Sequence, residues 1–165
     1  MNDDSFKTII GSPLYLVRSF EPCWKCRKEQ RVVALMTRRM RTEDFDQLDA
    51  DETAEPFFLT NIDEMPQAIF KYLSAAHPQF QKRHSKTMDM TYYANTCADC
   101  GANFGDHYLF SEPGGAFWPQ STERAARMSI EELPFTDLYE FRCSWGQGAG
   151  SLIFEYAYKQ QPVAS

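Results

Sequence analysis

Two short cysteine pairs constrain this chain more than any other feature. They are Cys23-Trp24-Lys25-Cys26 and Cys97-Ala98-Asp99-Cys100, the second followed by Gly101. Thiols spaced i, i+3 on a tight turn can span one edge of a tetrahedron, and two such turns supply four thiolates. That is the complete donor set of a structural Zn²⁺ site. One pair alone would carry little weight. With both, no protein position is left open for a water, so the expected site is structural rather than catalytic. Cys23, Cys26, Cys97 and Cys100 are the expected ligands of one Zn²⁺ ion. The interval between the pairs, 27–96, is 70 residues, much longer than in a minimal zinc ribbon. The expected fold is therefore α+β: antiparallel strands around a zinc-ribbon-like pair of knuckles, with a helical insertion over 38–87. Closing so long a loop costs entropy that grows only slowly with length, and metal binding offsets it.

At 165 residues the chain is expected to form a single domain over 1–165, large enough to bury a substantial core. Apolar residues make up 43% and aromatics 15%, which excludes a disordered chain. No apolar run reaches the 18 residues of a membrane span. Met1-Asn2-Asp3-Asp4-Ser5 lacks the basic and apolar segments of a signal peptide, so a cytoplasmic location is expected. Cysteine pairs in a reducing compartment more often bind metal than form disulfides.

The apolar pattern places a strand over 13–20 leading into the first pair and another over 31–37 leaving it. An exposed acidic loop is expected over 42–56, followed by a short strand over 57–62. Ile69, Leu73 and Ala76 fall at i, i+4 and i+7, which predicts a helix from Glu64 to Ala76, capped by Asn61 or Asp63 and stopped before His77-Pro78. A short helix over 79–84 and a strand over 88–95 follow. A further strand over 106–110 leaves the second pair. Glu112–Gly115 reads as a turn, and Ser121 as the cap of a short helix through Arg127. The segments 138–145 and 152–158, joined by Gly146-Gln147-Gly148-Ala149-Gly150, predict a C-terminal β-hairpin over 138–158.

The residues around the cysteine pairs resemble a family of bacterial zinc-ribbon-like proteins without a settled biochemical role. The likeness rests on Glu21-Pro22-Cys23-Trp24-Lys25-Cys26 with Val32–Leu35. It continues through Ser85–Met88, Tyr92–Ala102 and Gly105-Asp106, about a third of the chain. It implies that the four knuckle cysteines are metal ligands. Two positions depart from the pattern: Arg27 stands where the family tends to have glycine, and Ala98 where it tends to have proline. Neither removes a ligand, but Arg27 is expected to strain a turn that glycine would relax.

Charge is unevenly spread. The net charge is −6, which on average disfavours a dedicated nucleic-acid binder. Residues 17–41 nevertheless carry eight bases against two acids, whereas 42–64 carry nine acids and no base. Dense carboxylates can steer association with a cationic surface and imitate a phosphate backbone. Asp44, Asp46, Asp49, Asp51 and Glu52 are thus the candidate contacts to another protein of basic character. The alternative is a nucleic-acid-binding zinc ribbon that uses Lys25, Arg27, Lys28 and Arg31, with Trp24 available for stacking. Against both stands the plainer reading of solvated surface.

Catalytic readings find less support. Pro22-Cys23-x-x-Cys26 matches half of a zinc deaminase signature, but no His or Cys precedes it to supply the third ligand. A redox dithiol at Cys23 and Cys26 competes poorly with a second pair that needs the same explanation. Asp106 and His107 would point to opposite faces of a strand, and Cys143 reads as a small core residue. The Gly146–Gly150 segment lacks the Gly-Lys-Ser/Thr ending of a phosphate loop. The expectation is a non-enzymatic, zinc-stabilised, cytoplasmic protein that binds another protein. Its sharpest form is an inhibitor or immunity-type protein blocking a basic toxin or nuclease.

Overall fold

A computed structural model describes residues 7–160; the acidic start at Met1–Ser5 lies outside the described residues. Ten strands are its predominant regular elements: β1 (Lys7–Gly11), β2 (Leu14–Pro22), β3 (Glu29–Thr37), β4 (Met40–Arg41), β5 (Phe57–Glu64), β6 (Phe80–Ser85), β7 (Met90–Asn95), β8 (Ser129–Glu132), β9 (Leu138–Gly146) and β10 (Tyr158–Gln160). Three short helices join them: α1 (Gln67–Ala76), α2 (Thr122–Ala126) and α3 (Gly150–Tyr156). The fold is mixed α+β, and every strand pairing is antiparallel except β10 with β8.

The frame is the β2–β3 hairpin, paired without a break from Leu14↔Thr37 to Pro22↔Glu29, with the first cysteine pair as its turn. From Val32 to Thr37 every residue of β3 is buried. A continuous apolar run of this kind belongs to a strand covered on both faces. Val33 and Leu35 face one cluster with Leu16, Phe57, Phe141 and the α1 residues Ile69 and Leu73. Val32, Ala34 and Met36 face a second, with Phe58, Phe117, Ile130 and Ile153. The main sheet runs β10-β8-β2-β3-β5-β9-β1-β4. Only Ser12 and Pro13 separate β1 from β2, so the path curls back towards its own beginning. The hairpin β6–β7 attaches to β5 through Ile62↔Tyr93.

Helix α1 keeps the expected apolar stripe, Ile69 and Leu73, and ends as predicted at His77, whose N–H donates to Leu73 O. Its start differs. Pro66 occupies the capping position, while Asn61 and Asp63 belong to β5, where Asn61 adopts a positive φ of 47° beside a shift in register. Helix α2 is capped by the Ser121 side chain, which accepts from Arg124 N.

Three expectations are corrected. The segment 79–84 is not a helix but the strand β6, whose polar residues Gln81–Ser85 are held by full pairing with β7. The segment 106–110 is not a strand but enters a π-helical turn, His107–Ser111, that sinks Leu109 into the core. The hairpin over 138–158 is absent: β9 is followed by α3 and then by β10. Gly150, Ile153, Phe154 and Ala157 are the residues α3 turns inward, a helical i, i+3, i+4, i+7 spacing hidden within an apolar run. Phe154 there packs edge-on against Tyr15 at 4.6 Å and under the Arg38 guanidinium at 3.8 Å. Among the described residues no helix is long and apolar enough to cross a membrane.

Candidate metal centre

The two cysteine pairs build the same turn twice. In the first, Cys23 N donates to Lys28 O at 2.8 Å and Arg27 N to Cys23 O at 2.9 Å. In the second, Cys97 N donates to Ala102 O at 2.9 Å and Gly101 N to Cys97 O at 3.0 Å. Each leading sulfur accepts from the backbone N–H two residues on, Lys25 and Asp99, at 3.4 Å. Each turn closes on a left-handed residue, Arg27 at φ 71° and Gly101 at φ 77°. The strain expected at Arg27 is therefore present in the backbone.

The turns face one another so that the four Sγ atoms all lie within 4.8 Å. Cys23 Sγ stands 3.6 Å from Cys100 Sγ, and Cys26 Sγ stands 3.6 Å from Cys97 Sγ. The leading cysteines are buried, Cys23 at 0% and Cys97 at 2% exposure, and rest on the core cluster around Phe117. Cys26 is half-buried and Cys100 exposed. All four are free thiols, separated by far more than a disulfide bond length. The group could hold a metal ion, and among the described residues no other cluster of His, Cys, Asp or Glu has that property.

Electrostatics favour a cation between them. Burial alone would raise the Cys23 thiol, but hydrogen bonds from the backbone of Cys26 and Lys25 and from Cys100 and Cys97 outweigh it and bring the pKa down to about 6. For Cys26 the backbone N–H of Lys28 pulls the other way, yet burial and the neighbouring sulfurs push it up to about 11. Thiolates this close repel one another, and a divalent ion removes the conflict.

Of the side chains that clamp the second turn, the sequence singles out only Trp24, and for another role. Gln30, buried on β3, donates to Asp99 Oδ2 at 2.7 Å and accepts from Ala98 N at 3.0 Å. Asn95 exchanges two hydrogen bonds with the Val33 backbone at 2.9 and 3.0 Å. Trp24 Nε1 donates to Asn103 O, and Arg83 donates to Gly101 O. Gln30 lies between Glu29 and Arg31, so the sequence carried no signal of its burial.

The other candidate residues are scattered. Asp44, Asp46, Asp49, Asp51 and Glu52 are all exposed on the 42–56 loop. Lys25, Arg27 and Lys28 are exposed on the first turn, with Lys28 paired to Asp99 at 3.6 Å. Arg31 leaves that group and stands over the Phe20 ring, 5.8 Å from its centroid. Asp106 and His107 do not cooperate. Asp106 is buried and accepts from Asn61 N at 2.7 Å, while His107, expected in a strand, is exposed in the π-helical turn. Cys143 is a core residue, its thiol pushed up to about 12 by burial.

One polar cluster was missed altogether. Arg18, 12% exposed, reaches Glu131 Oε1 at 2.8 Å, His77 Nε2 at 2.9 Å and Gln160 Oε1 at 3.1 Å, and Tyr72 donates to Glu131 Oε2 at 2.7 Å. Arg18 within the apolar run of β2 was its only trace in the sequence, and its partner Glu131 lies on β8, which pairs with β2. No protein-family model, curated protein or solved structure matches this chain.

Proposed function

We propose that this is a non-enzymatic binding protein, tied together by one structural Zn²⁺, whose acidic loop engages a basic partner protein. The donor set supports zinc: four thiolates on tetrahedral bonds of about 2.3 Å sit about 3.8 Å apart, close to the 3.6 Å contacts here. The ion would join the β2–β3 turn to the turn after β7 and leave no open coordination position for chemistry.

The observation that carries the partner reading is the ordering of the acidic loop. Arg38 Nε donates to Ala54 O and Arg39 Nε to Ala50 O, both at 3.0 Å. Asp46 accepts from Leu48 N, and Asp51 accepts from Thr53 N. On this frame Glu43, Asp44, Asp46, Asp49, Asp51, Glu52 and Glu55 are exposed, and among the described residues none forms an ion pair. A preordered array of unpaired carboxylates loses little freedom on binding and attracts a cationic surface. Its sharpest form is an inhibitor or immunity-type protein that occupies the phosphate-binding face of a toxin or nuclease.

Asp46 and Asp51 hold turns, so the test uses Asp44→Lys, Asp49→Lys and Glu52→Lys together. Affinity purification from the native cells, with the partner identified by mass spectrometry, should yield a basic protein whose retention falls with salt and is lost in the triple variant. A partner retained equally by the variant would refute the acidic-loop reading. A second reading is favoured by Trp24, 62% exposed beside Lys25 and Arg27: a surface for single-stranded nucleic acid. It requires oligonucleotide binding at low salt that falls steeply as salt rises.

A further inference from the structure

Beside the β2–β3 hairpin lies a cavity of about 350 Å³, which the reading above does not use. Phe20, Val33 and Phe80 give it apolar walls, and Arg31, His77 and Gln79 bring polar atoms to it. Its volume falls within the range of small-molecule sites.

The side-chain polar groups left over in this cavity are all donors. His77 Nε2 accepts from Arg18 Nε, so that nitrogen carries no proton and the ring's own N–H is Nδ1. Burial, then the charges of Arg18 and Arg31, hold His77 down to about pKa 4, so the ring is neutral at ordinary pH. Gln79 Oε1 accepts from Thr96 Oγ1 at 3.1 Å, which leaves its amide N–H groups. Arg31 is in no ion pair among the described residues and stands over the Phe20 ring, 5.8 Å from its centroid. Asn95, also in the lining, is spent on Val33. No carboxylate lines the cavity, and the nearby Glu131 is taken by Arg18 and Tyr72.

A guanidinium, an amide and an imidazole N–H, set among aromatic and aliphatic walls, lack only an acceptor. We infer that the cavity binds a small organic carboxylate with a flat apolar body. The carboxylate pairs with Arg31 and takes hydrogen bonds from Gln79 and His77 Nδ1, while the body lies against Phe20 and Phe80. Arg31 thereby has a role apart from the basic first turn with which it was grouped by sequence.

The test is a titration of the full chain with benzoate, with neutral benzamide and with inorganic phosphate, followed by NMR shifts. Benzoate should give saturable shifts centred on residues 31, 77, 79 and 80, with benzamide and phosphate each about tenfold weaker or worse. Arg31→Gln, at an exposed position, should weaken benzoate about tenfold and leave benzamide unchanged, and Gln79→Ala should produce a smaller loss. Absence of saturable shifts at millimolar benzoate overturns the proposal. So does benzoate binding that Arg31→Gln leaves intact, or phosphate binding as tight as benzoate.

Discussion

The two cysteine turns share one backbone and differ in what surrounds them. Both use the same pair of backbone hydrogen bonds, the same N–H to sulfur contact and the same left-handed closing residue. The first projects at the tip of the β2–β3 hairpin and carries Trp24, Lys25, Arg27 and Lys28 outward. The second carries Ala98, Asp99 and Gly101, and is gripped by Gln30, Arg83 and Trp24. Four sulfurs converging on one point dictate the turn geometry, so the backbone tolerates little variation. Everything outside that requirement is free to differ. Both turns reach solvent, and the second receives most of the side-chain hydrogen bonds.

The largest expected effect comes from breaking the feature the turns share. With zinc as the proposed ion, Cys23→Ser and Cys97→Ser should each lose the metal and several kcal/mol of stability, because metal binding free energy contributes directly to folding. Cys100→Ser, at an exposed sulfur, should cost less. Metal content and thermal melts measure both, and a buried-cysteine variant that keeps native metal content and melting temperature would refute the four-ligand assignment.

Next comes pH, which should act on the second turn's side of the molecule. Asp106, shortly after that turn, is raised to about 7 by burial, against which the Asn61 N–H pulls it down. Its folded pKa lies above its ordinary 3.8, so the folded state holds the proton more tightly than the unfolded chain. The contribution is fully present below about pH 4 and is lost as pH rises through about 7, at a slope of up to about 1.4 kcal/mol per pH unit. Asp106→Asn keeps an acceptor for Asn61 N and should flatten that component. Urea unfolding at pH 5 and pH 8, with metal held saturating, gives the comparison. His77, lowered to about 4, acts with the opposite sign, adding stability as pH rises from 4 to 6.5.

Gln30→Leu tests the anchor. It removes both hydrogen bonds to the second turn and leaves Ala98 N and Asp99 without that partner, a loss of about 1–3 kcal/mol. Amide exchange should quicken at 97–102 and little at 23–28. Equal quickening in both turns would mean that the anchor is shared.

The smallest effects sharpen the comparison. At Gly101 an added Cβ meets nothing within 4 Å, so Gly101→Ala should cost only the left-handed backbone penalty, about 1–2 kcal/mol. Arg27→Gly should relieve the same strain in the first turn and gain up to about 1 kcal/mol. Denaturant midpoints of the two variants should move in opposite directions.

How far these features could be read from sequence follows from the range of the interactions involved. The cysteine spacing, the apolar strand over 31–37 and the i, i+4 stripe of α1 are local patterns, and each was legible; strain at Arg27 was expected only through the resemblance, and the burial of β3 on both faces was not foreseen. The β6 strand was not, because Gln81, Lys82, Arg83 and His84 have no strong preference of their own and take their geometry from β7. Helix α3 was hidden for a related reason: Leu152-Ile153-Phe154 fits a buried strand as well as a helix. Contact of Ile153 with the Phe58–Phe117 cluster and of Phe154 with Tyr15 selects the helix.

By itself the sequence determined the four-sulfur cluster and the frame that presents it. A Cys-x-x-Cys turn and an apolar strand are specified within a few residues by backbone sterics and hydrophobic pattern. Only the tertiary structure decided what each turn is packed against, and that Arg31 lines a cavity while Lys25 and Arg27 face solvent. It also decided that Arg18, His77, Tyr72, Glu131 and Gln160, drawn from positions 18 to 160, meet in one partly buried network. Long-range partners are chosen by how the sheet curls and which faces it buries, and no short stretch of chain records that choice.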